Sequence, residues 1–214
     1  MQLLCGYETA IRGSSPFCSP SVFSPDEWLA FEYAHDIRYH YNMGYGNDLS
    51  GVIGLPWVNA TAQLLLTETA EEDLYISFAH RRLPSAIAVA LGLFNNSAFS
   101  GTNNVNVSMP LDTVNHARAW RSSHIFPFLG NVAIERMECD SSGFESGGVI
   151  GEYYRVLVNQ SPQPLPGCED GPGYGCSRDA FVKFVRDREE RFGGFSRKCG
   201  NEYGDSTDVL SIYR

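Results

Sequence analysis

Lysine is almost missing from this chain. Its 214 residues hold two lysines against fourteen arginines, and the formal net charge is −9. A negative field of that size repels phosphate backbones at long range, which argues against a nucleic-acid partner. A small anionic ligand stays open, because one cleft can be locally basic and the planar fork of arginine grips phosphate or carboxylate in bidentate fashion. Long apolar runs are missing too. The longest, Ala86 to Phe94, is far too short to span a bilayer, so no membrane partner is expected. The opening Met1-Gln2-Leu3-Leu4-Cys5-Gly6 has no basic stretch, apolar core or small-residue cleavage site, so it is not a signal peptide. There is no Walker loop, dinucleotide fingerprint or nucleophile-elbow serine, and no cofactor is implied.

What is present describes a globular protein. The apolar fraction of 43% is too high for disorder, and the length suits one domain. Six cysteines are too few for a miniature disulfide scaffold and enough for two or three staples. Four N-glycosylation sequons start at Asn59, Asn95, Asn106 and Asn159. Chance supplies about one or two, so the count leans toward the secretory route.

Residues 24–43 read as a helix, with Ser24 as N-cap, Pro25 in the first turn, Glu27 completing a capping box and Gly44 beyond the end. Trp28, Phe31, Tyr33, Tyr39 and Tyr41 cover much of its circumference, which predicts packing on more than one side. A second helix is expected from Pro56 to about residue 70, with Val58, Thr61 and Leu65 on one stripe. Asp73-Leu74-Tyr75-Ile76-Ser77-Phe78 reads as a buried strand, and Ala86–Phe94 as a buried helix. That unit would place His80 just past a strand's C-terminal end, where open α/β sheets bind ligands. Residues 95–115 read as a surface loop. Strands follow at 131–139 and 152–159, joined by a loop that opens with Asp140-Ser141-Ser142-Gly143, and Pro162, Pro164 and Pro166 break regular structure. A last helix runs from Arg178 to Phe192, capped by Ser177, with Phe181, Phe184, Val185 and Phe192 on its apolar side.

Taken one at a time, the candidate sites are weak. A histidine after a strand is more often structural than catalytic. His35 and His40 lie five apart on one helix and face different ways, and His116 and His124 read as surface residues. Cys168 and Cys176 lack a neighbouring histidine or a second CxxC, so no metal site is expected.

Read in order, the segments resemble one family along nearly the whole chain. Cys5-Gly6-Tyr7-Glu8, Ser15-Pro16-Phe17-Cys18, Pro25-Asp26-Glu27-Trp28 and Tyr45-Gly46-Asn47 come first. Ser77-Phe78-Ala79-His80, Leu91-Gly92-Leu93-Phe94-Asn95 and Glu135-Arg136-Met137-Glu138-Cys139 follow. Arg155-Val156-Leu157-Val158-Asn159, the Cys168 to Cys176 stretch and Ser177-Arg178-Asp179-Ala180-Phe181 close the set. The order resembles the fungal phytases and acid phosphatases, a branch of the histidine phosphatases.

The resemblance implies an α/β, phosphoglycerate-mutase-like fold. Residues 1 to about 70 would belong mostly to its helical subdomain, and about 71 to 214 to its α/β portion. It also implies hydrolysis of phosphomonoesters or inositol phosphates through a phosphohistidine. The family's nucleophile sits in Arg-His-Gly-x-Arg-x-Pro, whose arginines clamp the phosphoryl group. A late histidine contacts the phosphate, and the aspartate after it protonates the leaving oxygen. No Arg-His-Gly occurs here, and only His80 maps onto the catalytic set, with Arg81 at the aspartate position and Arg82 next. Arginine stays protonated and cannot act as a general acid. Arg81 and Arg82 instead extend a phosphate-binding surface, or Arg81 is a neutral change in a decayed gene; the residues alone leave both open.

Cysteine pairing is carried over in the same way. The resemblance pairs Cys5 with Cys18 and Cys168 with Cys176, and leaves Cys139 and Cys199 without their usual partners. The expectation is a C-terminal half that is inactive alone and is secreted by family likeness. The alternatives are a non-catalytic phosphate-binding module and one half of a two-chain enzyme. Surface meant to meet absent residues predicts that the purified chain binds the dye ANS more strongly than an intact domain of its size, read by fluorescence enhancement; enhancement no greater than that of such a domain contradicts it.

Overall fold

The computed structural model describes residues 1–67, 72–96, 109–140 and 150–213. Helix α1 (Gln2–Arg12) leads to a 3₁₀ turn at Pro16–Cys18, then to α2 (Pro25–Met43) and α3 (Ser50–Leu66). After an irregular stretch come α4 (Arg82–Leu91) and the single turn α5 (Ser122–Ile125). Strands β1 (Val132–Asp140), β2 (Ile150–Val158), β3 (Ser161–Gln163) and β4 (Cys176–Ser177) precede α6 (Arg178–Phe192) and the short α7 (Phe195–Lys198).

The sheet is antiparallel. β1 flanks β2 in a register that pairs Val132 with Val158 and Asp140 with Ile150. β3 and β4 pair with β2 at Val156–Val158 and at Tyr153–Tyr154 respectively. Asn159 and Gln160 both take positive φ (52° and 70°), as a two-residue hairpin between β2 and β3 requires. Tyr154, Val156 and Val158 alternate onto one buried face, and Tyr154 stacks on Phe181 of α6 with ring centroids 4.4 Å apart.

The core centres on α4, where Ala86 to Leu91 are all buried. Trp57, Val58 and Ala62 of α3 meet it from one side, and Phe181 and Phe184 of α6 lie in the same cluster. The α3–α4 crossing is close enough to demand glycine. A Cβ on Gly54 would sit 2.2 Å from the Ala86 carbonyl oxygen. Gly92 ends α4 at φ 76°, the left-handed geometry of a helix C-terminus. Disulfides Cys5–Cys18 and Cys168–Cys176 are both formed, while Cys139 and Cys199 are free thiols. Closing loops of 13 and 8 residues contributes about 2–3 kcal/mol each in the chain-entropy account.

The capping box on α2 is as expected: Ser24 Oγ accepts from Glu27 N, and Glu27 accepts from Ser24 N. The helix buries mainly one stripe, Tyr33, Asp36 and His40, and leaves Tyr41 exposed. Four expectations are corrected. Residues 73–78 form no strand; Leu74, Ile76 and Phe78 are 73%, 67% and 96% exposed. Tyr75 packs on Tyr213 and Ser77 accepts a hydrogen bond from Trp57, but among the described residues no neighbouring strand completes a ladder. Helix α3 starts six residues before Pro56, which it accommodates internally because the surrounding burial outweighs one lost backbone bond. Helix α4 likewise begins at Arg82, not Ala86. Pro162 lies inside β3, an edge position where a missing N–H costs nothing.

The expected surface loop at 95–115 is described only at its ends, and those are partly buried: Asn96, Met109 and Asn115 are almost fully covered. They meet a polar clamp. Arg118, 1% exposed at its side chain, donates Nε to Asp36 Oδ2 at 2.6 Å and Nη2 to Glu32 at 3.1 Å, and lies over the Tyr33 ring. The other Asp36 oxygen accepts from Ser122 N and Oγ at 2.6 and 2.7 Å. Removing one partner leaves a buried unpaired charge, so Asp36→Ala or Arg118→Ala is expected to lose about 3–5 kcal/mol, and the double variant less than the sum. Urea denaturation of the four proteins reads this directly; additive losses would disprove the coupling.

Candidate functional site

His80 closes the irregular stretch and stands immediately before α4, so the site is built at a helix N-terminus and not at a strand end. His80, Arg81 and Arg82 are all exposed. The backbone there is already engaged. Arg82 N donates to His80 Nδ1 at 3.4 Å, Leu83 N donates to the His80 carbonyl at 2.9 Å, and Pro84 has no N–H. The helix end thus presents no free amide nest in its first turn, and an anion arriving there meets side chains. Because Nδ1 accepts from Arg82, the neutral imidazole carries its proton on Nε2, the atom available to donate to an oxyanion.

Arg81 leans toward α2, its guanidinium 5.6 Å from the centroid of the Tyr39 ring, which in turn neighbours Phe126. Among the described residues, none of His80, Arg81 and Arg82 forms an ion pair with a carboxylate. The geometry is that of two arginine cations and one imidazole hydrogen-bond donor on an exposed corner, suited to binding a phosphoryl group. Among the described residues, none of these three side chains is paired with a carboxyl group that could protonate a leaving oxygen.

The other histidines separate as their spacing implied. His116 and His124 are exposed, and His35 meets Phe31 edge-on. Among the described residues no group of His, Cys, Asp and Glu gathers into a metal-binding set. His40 is a core residue, 9% exposed, edge-on to Tyr41 and Trp120, with no hydrogen-bond partner for Nδ1. Sequence spacing could not reveal that burial.

The sequons differ in setting. Asn106 lies outside the described residues, as does Ser97, the last residue of the Asn95 sequon. Asn59 sits mid-helix in α3 with its Oδ1 buried. Asn159 uses Nδ2, the atom a glycan would occupy, to donate to the His124 and Ile125 carbonyls at 2.7 and 3.2 Å.

Comparison with known proteins follows the same direction. Residues 1–159 match the family model described as Histidine phosphatase superfamily (branch 2). An acid phosphatase of Komagataella pastoris is 33% identical over 203 residues, spanning 92% of this chain and 39% of that protein. A phytase of Candida albicans is 29% identical, spanning 92% of this chain and 38% of its own length. The crystal structure of the phytase from D. castellii superposes with a TM-score of 0.76 at 23% identity, covering 98% of this chain and 40% of that one. The chain thus spans about two fifths of the length of these proteins.

Burial pushes the pKa of His40 from 6.5 down to about 4. The unfolded chain therefore takes up this proton near pH 6.5 and the folded chain only near pH 4. The linkage is absent above pH 6.5, destabilises the fold increasingly as the solution is acidified and levels off below about pH 4, at a total of about 3 kcal/mol. Urea midpoints at pH 7, 5.5 and 4.5 should fall less steeply for His40→Phe than for the parent; parallel profiles would show that His40 is not held neutral.

Proposed function

Because the chain belongs to the histidine phosphatase superfamily (branch 2), we propose that it supplies the phosphate-facing histidine of a phosphomonoesterase of acid phosphatase or phytase type. The observation that carries this reading is His80, held before α4 with Nδ1 occupied by Arg82 N and Nε2 left to donate to a phosphoryl oxygen. In this proposal His80 and Arg82 bind the substrate oxygens, Arg81 adds a second cation, and the nucleophilic histidine lies in sequence that these 214 residues do not contain. Residues 1 to about 70 and about 71 to 214 act as the helical and sheet-bearing parts of one domain. The two disulfides support a route through an oxidising compartment.

Arg81 governs the chemistry of the leaving group. A guanidinium cannot release a proton to the departing oxygen, so this step would fall to water or to a leaving group that needs no proton. A second reading is favoured by the same residues: two unpaired arginines beside a histidine also suit a module that binds inositol phosphates without turnover. The chain alone is expected to hydrolyse neither p-nitrophenyl phosphate nor phytate at about pH 3–6. Turnover that His80→Ala abolishes would sink that expectation. In a protein joined to an acid phosphatase segment bearing Arg-His-Gly, Arg81→Asp is expected to raise kcat on alkyl phosphates by about 10²-fold or more. An unchanged kcat in that fusion would mean that this position plays no part in protonation.

A further inference from the structure

The opposite end of α4 carries a second group of cations that the family reading does not use. Ten helical residues separate the two ends by about 15 Å. Here a cleft of about 270 Å³ opens between the end of α4 and α6, lined among others by Tyr45, Asp48, Val89, Gly92, Arg188 and Arg191. Arg188 and Arg191 stand three apart on α6 and so share a face.

Arg188 is the unusual member. It is only partly exposed, its Nε is buried without a hydrogen-bond partner, and among the described residues it makes no ion pair. Its one close attraction is the face of Phe184, 4.7 Å from the guanidinium carbon. Burial, and then the proximity of Arg191, lower its pKa from the usual arginine value. A partly desolvated cation is normally compensated by a carboxylate or by carbonyls. Neither is in place. Asp187 is bound to Lys183 at 2.6 Å, and Asp48 stays beyond ion-pair distance. Nor does Arg188 cap the helix that it adjoins. The Ala88 and Val89 carbonyls accept from Gly92 N and Leu93 N, and the Leu93 carbonyl accepts from the Tyr45 hydroxyl at 2.7 Å. Gly92 leaves room for the guanidinium, since a Cβ there would come within 2.7 Å of Nη2.

We propose that this cleft is a second binding site, separate from His80, for a small oxyanion presented as phosphate or carboxylate, gripped by Arg188 with Arg191 at its rim. The planar guanidinium edge matches two oxygens of either group, and the cleft volume admits one such anion with a small substituent. Asp48 sets a selectivity: it disfavours large polyanions and favours a single anionic head whose remainder can donate a hydrogen bond.

Titration calorimetry of the 214-residue chain tests this, with inorganic phosphate, succinate and chloride as separate titrants at pH 7. Saturable binding of phosphate or succinate is expected, whichever binds identifying the oxyanion class, with chloride silent. His80→Ala should leave that binding in place, whereas Arg188→Gln should weaken it by about tenfold or more. Arg191→Gln changes an exposed residue and should weaken it several-fold, which keeps the test valid if the Arg188 variant fails to fold. Three results would overturn the proposal: no saturable binding of either oxyanion, binding indifferent to Arg191→Gln, or binding that disappears with His80→Ala.

Discussion

The crossing of α3 and α4 at Gly54 is the constraint on which the rest of the structure depends. With a carbonyl oxygen 2.2 Å from where a side chain would begin, the two helices touch backbone to backbone. That contact lets Ala86 to Leu91 lose essentially all their water. Dispersion and hydrophobic burial both scale with such closeness, and small residues at the crossing are what permit it. The candidate site and the proposed oxyanion cleft then lie at the two ends of one buried helix. His80 and Arg81 precede its first turn, Arg82 begins it, and the Arg188 cleft adjoins its last. A helix this well held is a rigid spacer, so neither end can shift without disturbing the core.

The buried charges divide into one that is satisfied and one that is not, and the contrast is informative. Arg118 and Asp36 meet every requirement for charge in a low-dielectric setting: paired ions, a carboxylate whose oxygens are both engaged, and an aromatic face. They tie α2 to the segment that delivers Trp120 to the core, where it meets His40, Tyr45 and Phe126 edge-on. Among the described residues, Arg188 has the aromatic face and no ion pair. The same molecule that completes one arginine's surroundings leaves another open, beside a cavity of ligand size. That difference separates a structural arginine from one that awaits an anion.

How much of this was legible in the sequence follows from the range of each interaction. Local chemistry was readable: the capping box at Ser24 and Glu27, the Ser177 cap of α6, and the alternation of β1 and β2 all depend on residues a few positions apart. The 73–78 run shows the limit. It was read as a buried strand because it is a short apolar run, but Leu74, Ile76 and Phe78 are exposed, and a strand is defined by neighbours that composition alone cannot supply. Pro56 misled because it is favoured at helix starts, and only burial on every side explains its tolerance inside α3. The clamp at Arg118 joins residues 82 positions apart, and no spacing rule finds it. At the candidate site, His80 and its arginines were found through motif order, whereas the Arg188 cleft, assembled from four separate segments, had no signature in the chain.

Acidity brings these threads together, since the proposed chemistry belongs to acid phosphatases and phytases. Glu32 is held below the usual carboxylate range first by the Ser123 hydroxyl, against its burial, and then by Arg118. Burial raises Glu152, yet the Tyr154 hydroxyl, Arg178 and Arg136 together bring it below that range as well. Stabilisation from a lowered carboxylate is present above its unfolded pKa and is lost only as pH falls through the lower folded value. Above the ordinary carboxylate range these groups therefore keep their charges and contacts. His40 acts in the opposite sense over that same window, because the unfolded chain gains its proton first. The ionic contacts are built to outlast acidification, and the neutral buried imidazole is the group that opposes it. Acid tolerance in this fold is thus limited less by the number of ion pairs than by the burial of His40, since the drier its imidazole, the more stability acidification removes.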